Sequence, residues 1–360
     1  MRMGTVGTLA LFAWVYCPHQ AFAELKDVHI IVGDMRPGSG VAGGLEYYND
    51  HFANGFLDVR LTTKLSFRLY QQHEAEIVGP HLFHPNVFFR VIGLYRSYTQ
   101  IDYFGIGPNT VEENHSNYRL AGPAVFANVG VRPHRKLQLA ARIGYLRVTI
   151  GRGTDENLPP IEEQFDLQSV PGFVDEPDHH VYGALVTLDD RDDPDDPASG
   201  LYYVIQSSAY RARAFDRYDF QDLALDLRHF FPLTQRSTLA VRASGLFTWT
   251  ADGQTVPFYH LPSLGGSETL HAFENDRFRD RNLLFLNSEL RYRVTPEILF
   301  ELFVDAGQVA PRVDAFRFGS LRLSYGAGGR YKLGRSVLIG VNVGLGSEGA
   351  RLSVKGDFRF

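Results

Sequence analysis

The sequence predicts an all-β protein, a transmembrane antiparallel β-barrel of about sixteen strands. Three observations lead there: apolar and polar residues alternate with a period of two in segment after segment, tight and long connections alternate along the chain, and the composition favours strands and turns. The 360 residues include 35 Gly, 27 Phe and 18 Tyr but only 3 Met, which suits short strands better than helices. Beyond the N-terminus no stretch reaches the roughly eighteen apolar residues of a membrane helix. Such a chain can cross lipid only as a closed barrel, because the hydrocarbon offers backbone amides and carbonyls no partner. The formal charge of −5 is mild and Lys and Arg are scattered, so no nucleic-acid partner is expected.

The chain opens as a secretory signal over residues 1–23. Arg2 supplies the charge, Val6 to Tyr16 the short apolar stretch, and Ala21-Phe22-Ala23 a small-x-small cleavage site. Cys17, the sole cysteine, follows the bulky Tyr16, which argues against lipoprotein processing. Cleavage removes it and leaves a mature chain without thiol chemistry. Residues 24–40 are expected to form a short periplasmic segment or the first strand, and residues 41–360 the barrel.

Four strands are expected before residue 80, the first near 27–33. The others are placed near 85–98, 118–132, 135–149, 179–190, 199–213, 218–230, 236–250, 282–294, 297–309, 318–331, 335–346 and 349–360. The alternation is plain in residues 282–294, where Leu284, Leu286, Leu290 and Tyr292 oppose Asn287, Glu289, Arg291 and Arg293. In the next strand Ile298, Phe300, Leu302 and Val304 face lipid, while Glu301, Phe303 and Asp305 face the lumen. The connections at Pro133 to Lys136, Pro232 to Ser237, Thr295 to Glu297 and Leu333 to Arg335 are tight and belong to the periplasm. Those at 99–117, 150–178 and 251–281 are long and belong outside. Tyr202, Tyr203, Phe230, Phe231 and Tyr292 are expected in interfacial girdles. The last strand alternates Leu352, Val354, Gly356, Phe358 and Phe360 with polar residues and ends on an aromatic carboxylate. Phe358 and Phe360 thus form a C-terminal signal for the outer-membrane assembly machinery, and the partner of the wall is outer-membrane lipid.

Three segments carry a resemblance. The first is Leu264-Gly265-Gly266-Ser267-Glu268-Thr269-Leu270-His271-Ala272-Phe273, followed by Arg277-Phe278-Arg279-Asp280. The second is Asn287-Ser288-Glu289-Leu290-Arg291-Tyr292 with Phe303-Val304-Asp305-Ala306-Gly307. The third runs from Leu188-Asp189-Asp190-Arg191-Asp192-Asp193-Pro194 to Pro197-Ala198-Ser199-Gly200. With a looser match at Tyr103 to Thr110, they resemble the BamA/TamA superfamily, also called the bacterial surface antigen family, from about residue 40 to the end.

The resemblance implies that the long loop folds into the lumen and that its tip, Val/Ile-Arg-Gly-Phe/Tyr in the family, sets an arginine against acidic residues of the next two strands. Here Phe273 keeps the aromatic position, Glu289 and Asp305 stand for the carboxylates, and His271 and Ala272 replace the arginine and glycine. An imidazole makes fewer hydrogen bonds than a guanidinium, so a weaker, pH-sensitive lock is expected, with Arg277, Arg279 or Arg281 as substitute cations. The family's assembly machines carry periplasmic POTRA repeats, and none is expected here ahead of the first strand. The resemblance implies an outer-membrane barrel that assists insertion or passage of proteins or lipids. Its partners would be unfolded outer-membrane clients or a separate periplasmic protein. The alternative is a passive pore or structural barrel.

No enzyme is expected: there is no Gly-x-Ser-x-Gly elbow, and Ser267 and His271 share a loop without an orienting acid. The carboxylates from Asp189 to Asp196 read as a solvated turn in preference to a calcium site. His179 and His180 point to opposite faces of a strand, so no metal or other cofactor is expected.

Overall fold

A computed structural model describes residues 22–25, 27–33, 35–81, 84–333 and 337–356. Most of the signal segment, Phe358 and Phe360 lie outside the described residues. The wall begins with β1 (Phe22–Leu25), β2 (Val28–Gly33), β3 (Ala42–His51), β4 (Leu57–Ser66), β5 (Gln71–Gly79), β6 (Val87–Tyr103), β7 (Ser116–His134) and β8 (Leu137–Leu146). After the short β9 (Thr149–Arg152) come β10 (His179–Asp189), β11 (Gly200–Ala212), β12 (Phe220–Pro232) and β13 (Ser237–Trp249). A separate hairpin, β14 (Ser263–Leu264) and β15 (Phe278–Arg279), precedes β16 (Asn282–Arg293), β17 (Ile298–Ala310), β18 (Arg322–Leu333), β19 (Val337–Gly346) and β20 (Gly349–Gly356).

The main sheet has eighteen strands. Without the four-residue pieces β1 and β9, sixteen antiparallel strands follow one another from β2 to β20. The protein is a transmembrane antiparallel β-barrel. Alternation is what builds it: along β17, Phe300, Leu302 and Val304 are more than half exposed, while Glu301, Phe303 and Asp305 are buried inside. The register Asn287↔Asp305 and Asp305↔Ser324 sets these inward side chains in one cross-strand row.

Some boundaries differ from the sequence expectation. β6 and β7 run further, to Tyr103 and from Ser116, because Tyr98, Ile101, Tyr103 and Tyr118 pack inward on loop residues above the wall. Residues 318–320 form a 3-10 turn, and β18 starts only at Arg322. Two expected girdle aromatics face inward: Tyr202 lies under the Arg191 guanidinium at 4.2 Å, and Phe230 lies 5.6 Å from that of Arg291. Cation–π contact with luminal arginines holds them there. Phe231 and Tyr292 remain outside.

The long connections 147–178 and 250–281 close over the end of the barrel opposite the tight turns. Phe258 is fully buried among Tyr103 at 5.4 Å, Tyr118 at 5.0 Å and Phe173 at 6.0 Å. A second apolar cluster joins Leu264, Leu270, Phe273 and Phe278 to Leu283, Phe285 and Val309 of the wall. Each fully buried aromatic or aliphatic side chain contributes about 1.5–3 kcal/mol.

His260 sits in this cap beside His179, Tyr210, Phe220 and Tyr259. Burial, with the His179 ring and the Arg96 charge nearby, holds its imidazole well below the ordinary pKa of 6.5. A released His260 would therefore bind a proton that the buried one refuses. The cap keeps full stability above about pH 6.5 and loses it as the pH falls below that value. Proteolysis within 250–262 is expected to quicken between pH 7.5 and pH 5, and His260→Phe is expected to flatten that dependence.

Candidate functional site

The tip of the long loop is a compact turn between β14 and β15. Gly265 and Gly266 have φ of 121° and 82°, and a Cβ on Gly265 would lie 1.9 Å from the Glu274 carbonyl oxygen. Only glycine fits there. Thr269 Oγ1 accepts from Gly265 N at 2.8 Å, and Gly266 N donates to the Phe273 carbonyl at 3.0 Å. The turn presents His271 and Ala272 to the wall.

Asp305 on β17 is the fully buried acceptor that meets them. Its Oδ2 accepts from His271 N at 3.2 Å and from Ser324 Oγ at 2.9 Å, and lies 2.9 Å from His271 Nδ1. Its Oδ1 accepts from Asn287 Nδ2 at 2.7 Å. Ser324 Oγ also accepts from Ala272 N at 3.2 Å, and the His271 ring lies 4.4 Å from that of Phe303. The carboxylate is thus held by the wall on one side and reads the tip backbone on the other. Room for this comes from β19, where a Cβ on Gly344 would lie 2.7 Å from the His271 carbonyl carbon and one on Gly346 2.7 Å from Ala272 Cβ. Gly344→Val is expected to displace the tip and cost about 1–3 kcal/mol by overpacking, read as a lower urea midpoint and new cleavage within 264–277.

Glu289 belongs to a neighbouring network. Its Oε2 accepts from Arg291 at 2.9 and 3.0 Å and from Arg330 at 2.9 Å, and Arg330 also pairs with Glu301. The structure therefore brings His271 into hydrogen-bonding contact with Asp305, while the hydrogen bonds seen at Glu289 come from wall arginines and His271 reaches it only through charge.

The three arginines offered by the sequence go elsewhere. Arg277 grips Glu348 in the β19–β20 turn through two 3.0 Å contacts and reaches Thr110 at 2.9 Å. Arg279, buried, donates to the carbonyls of Phe258 at 3.2 Å and Leu261 at 3.4 Å and pairs with Asp276 at 3.3 Å. Arg281 donates to Thr250 Oγ1 at 2.7 Å. They knit the cap together.

A second set of contacts was invisible in the sequence. Asp276 pairs with Arg36 in the β2–β3 connection, and Glu274 pairs with Arg351 of β20. Burial by itself lowers the Arg36 pKa, but Asp276 together with Tyr70, Tyr118 and Tyr98 more than offsets it, so the guanidinium is held above its ordinary value. The loop is thereby clamped to the β2–β3 connection on one side and to β20 on the other side of the place where β2 and β20 meet. Those two strands are neighbours, yet among the described residues no backbone register joins them, whereas β2–β3 and β19–β20 are paired throughout.

Asp192 and Asp193 spend their carboxylates capping backbone amides of their own turn at 2.8–3.3 Å, and Asp189 forms a bidentate pair with Arg191. Among the described residues no group of three or more His, Cys, Asp or Glu could hold a metal ion.

Residues 181–343 match the Omp85 superfamily domain. No curated protein matches the chain in sequence. Among solved structures, BamA from Haemophilus ducreyi lacking POTRA domains 1–3 is similar over 91% of this chain and 68% of its own, with 13% identity and a TM-score of 0.67. CdiB from Escherichia coli is similar over 93% of this chain and 63% of its own, at 13% identity and TM-score 0.60. CdiB from Acinetobacter baumannii is similar over 92% and 59%, at 13% identity and TM-score 0.54. The chain thus spans less than two thirds of either CdiB.

Proposed function

We propose that this chain, a BamA/TamA-type outer-membrane barrel of the Omp85 superfamily, assists the insertion of unfolded outer-membrane proteins at its wall, where β2 meets β20. The observation that carries this reading is the junction itself: β2 and β20 are neighbours, but among the described residues no shared register joins them, whereas each is paired with its other neighbour. A strand edge exposed when such a junction opens is a template for a further strand, and a client hairpin would add to it by β-augmentation. No covalent step is required of the barrel.

The loop supplies the restraint. With Asp305 and Ser324 holding its tip, and Asp276 and Glu274 pairing with Arg36 and Arg351, opening of the junction requires at least one clamp to release. The filled mouth disfavours simple diffusion through the lumen and so favours wall chemistry over a passive pore. Assembly machinery engaging the C-terminal strand, or a periplasmic protein delivering clients, would complete the system.

Refolded protein in liposomes is expected to speed the insertion of a second, unfolded outer-membrane protein relative to liposomes carrying an unrelated barrel. Equal rates with steady ion conductance would sink autonomous insertion and leave the passive pore as the better reading.

A further inference from the structure

The outward face of the wall carries a groove of about 690 Å³ running from Val28 on β2 to Val125 on β7. Its floor follows from the register: Leu61, Ala75, Gly93 and Val125 lie in one cross-strand row, and the two small residues in the middle leave a dent between larger neighbours. A Cβ added to Gly93 would meet nothing within 4 Å. The adjacent row holds Thr63, His73 and Tyr95. Thr63 Oγ1 lies 2.7 Å from His73 Nδ1, and the His73 ring stacks on Tyr95 at 6.2 Å.

Two features of this place call for a ligand more specific than bulk hydrocarbon. A polar pair on a lipid-facing surface is costly unless its hydrogen bonds are satisfied. With Thr63 Oγ1 donating to Nδ1, the imidazole carries its proton on Nε2 and directs a donor outward. The pair also lies two to three residues inside the β4–β5 connection, or about 7–10 Å along the strand. With the β4–β5 connection at the headgroup level, this is the depth of the carbonyls that link acyl chains to a headgroup. The opposite, apolar part of the groove extends toward the membrane middle.

We propose that this groove binds one acyl chain of a bilayer lipid, which fills the dent over Ala75 and Gly93 while its ester or amide carbonyl accepts from His73 Nε2. The groove reaches β2 at one end, but the dent itself lies on β5 and β6, three to four strands or about 14–19 Å from β2. It does not depend on client insertion: the site could exist in a barrel that inserts nothing.

The test uses the full protein in vesicles of phosphatidylethanolamine doped with the same lipid bearing a diazirine in its acyl chain, with crosslinked peptides mapped after illumination. Labelling over residues 59–63, 73–77 and 91–95 is expected to exceed that over the lipid-facing residues 300–304 by about fivefold, the scale of one hydrogen bond plus a fitted chain. Gly93→Leu fills the dent without a clash and is expected to remove the excess. His73→Phe keeps the stack on Tyr95 and is expected to lower labelling by the ester lipid but not by its ether analogue. Heat-modifiable mobility on gels confirms that each variant is folded. Uniform labelling around the wall, or an excess that survives Gly93→Leu, overturns the site. Equal loss of ester and ether labelling in His73→Phe overturns the carbonyl contact.

Discussion

Asp305→Ala is expected to release the loop tip from the wall. One carboxylate there satisfies the His271 amide, the His271 imidazole, Asn287 and Ser324, so its removal strands several buried polar groups together. Breaking such a buried network costs about 3–5 kcal/mol. The expected readings are a lower urea midpoint for unfolding from liposomes and rapid proteolysis within 264–277. Glu289→Gln is the informative contrast. Its hydrogen-bond partners are Arg291 and Arg330 in the wall, and it meets His271 only through charge, so it is expected to lower barrel stability while the tip, still bonded to Asp305, stays protected. If the two variants expose the tip equally, Asp305 is not its particular anchor.

The second large effect concerns conduction. Phe258 fills the centre of the aromatic cap, and its replacement by alanine opens a void worth about 3–5 kcal/mol. In planar bilayers the wild-type barrel is expected to be nearly silent, and Phe258→Ala to show frequent openings. Phe67, which is 92% exposed in the β4–β5 connection, serves as the control, and Phe67→Ala is expected to change nothing. A wild-type barrel that already conducts steadily would mean that the cap does not seal the mouth.

The wall was legible because a period of two encodes the fold directly: lipid takes one face and the lumen the other. Residues 282–294 match β16 within a residue or so on that ground alone, and Asn287 and Asp305 follow inward from the same pattern. What alternation cannot tell is which inward residues meet at one height, because that depends on strand stagger. His271 is brought to Asp305 only through resemblance, and Glu289, one strand away, hydrogen-bonds to wall arginines and meets His271 only through charge. The pairs Arg36–Asp276 and Glu274–Arg351 join segments that are far apart in sequence, with no local signal to announce them. Tyr202 and Phe230 looked like girdle residues because hydrophobic character alone does not reveal an arginine of a nearby connection or strand lying over the ring. Gly344 gave no hint of its role until the His271 backbone was seen to lie against it.

The most direct test of a working wall is to trap a client while it inserts. A photo-crosslinking residue would be placed at Ile30 on β2 or Val354 on β20, with outward Leu302 on β17 and luminal Asn342 on β19 as comparison positions. During insertion of an unfolded outer-membrane protein, crosslinks are expected from Ile30 and Val354 and not from Leu302 or Asn342. Crosslinks from Asn342 alone, or an even yield at Ile30, Val354 and Leu302, would contradict insertion at the junction of β2 and β20.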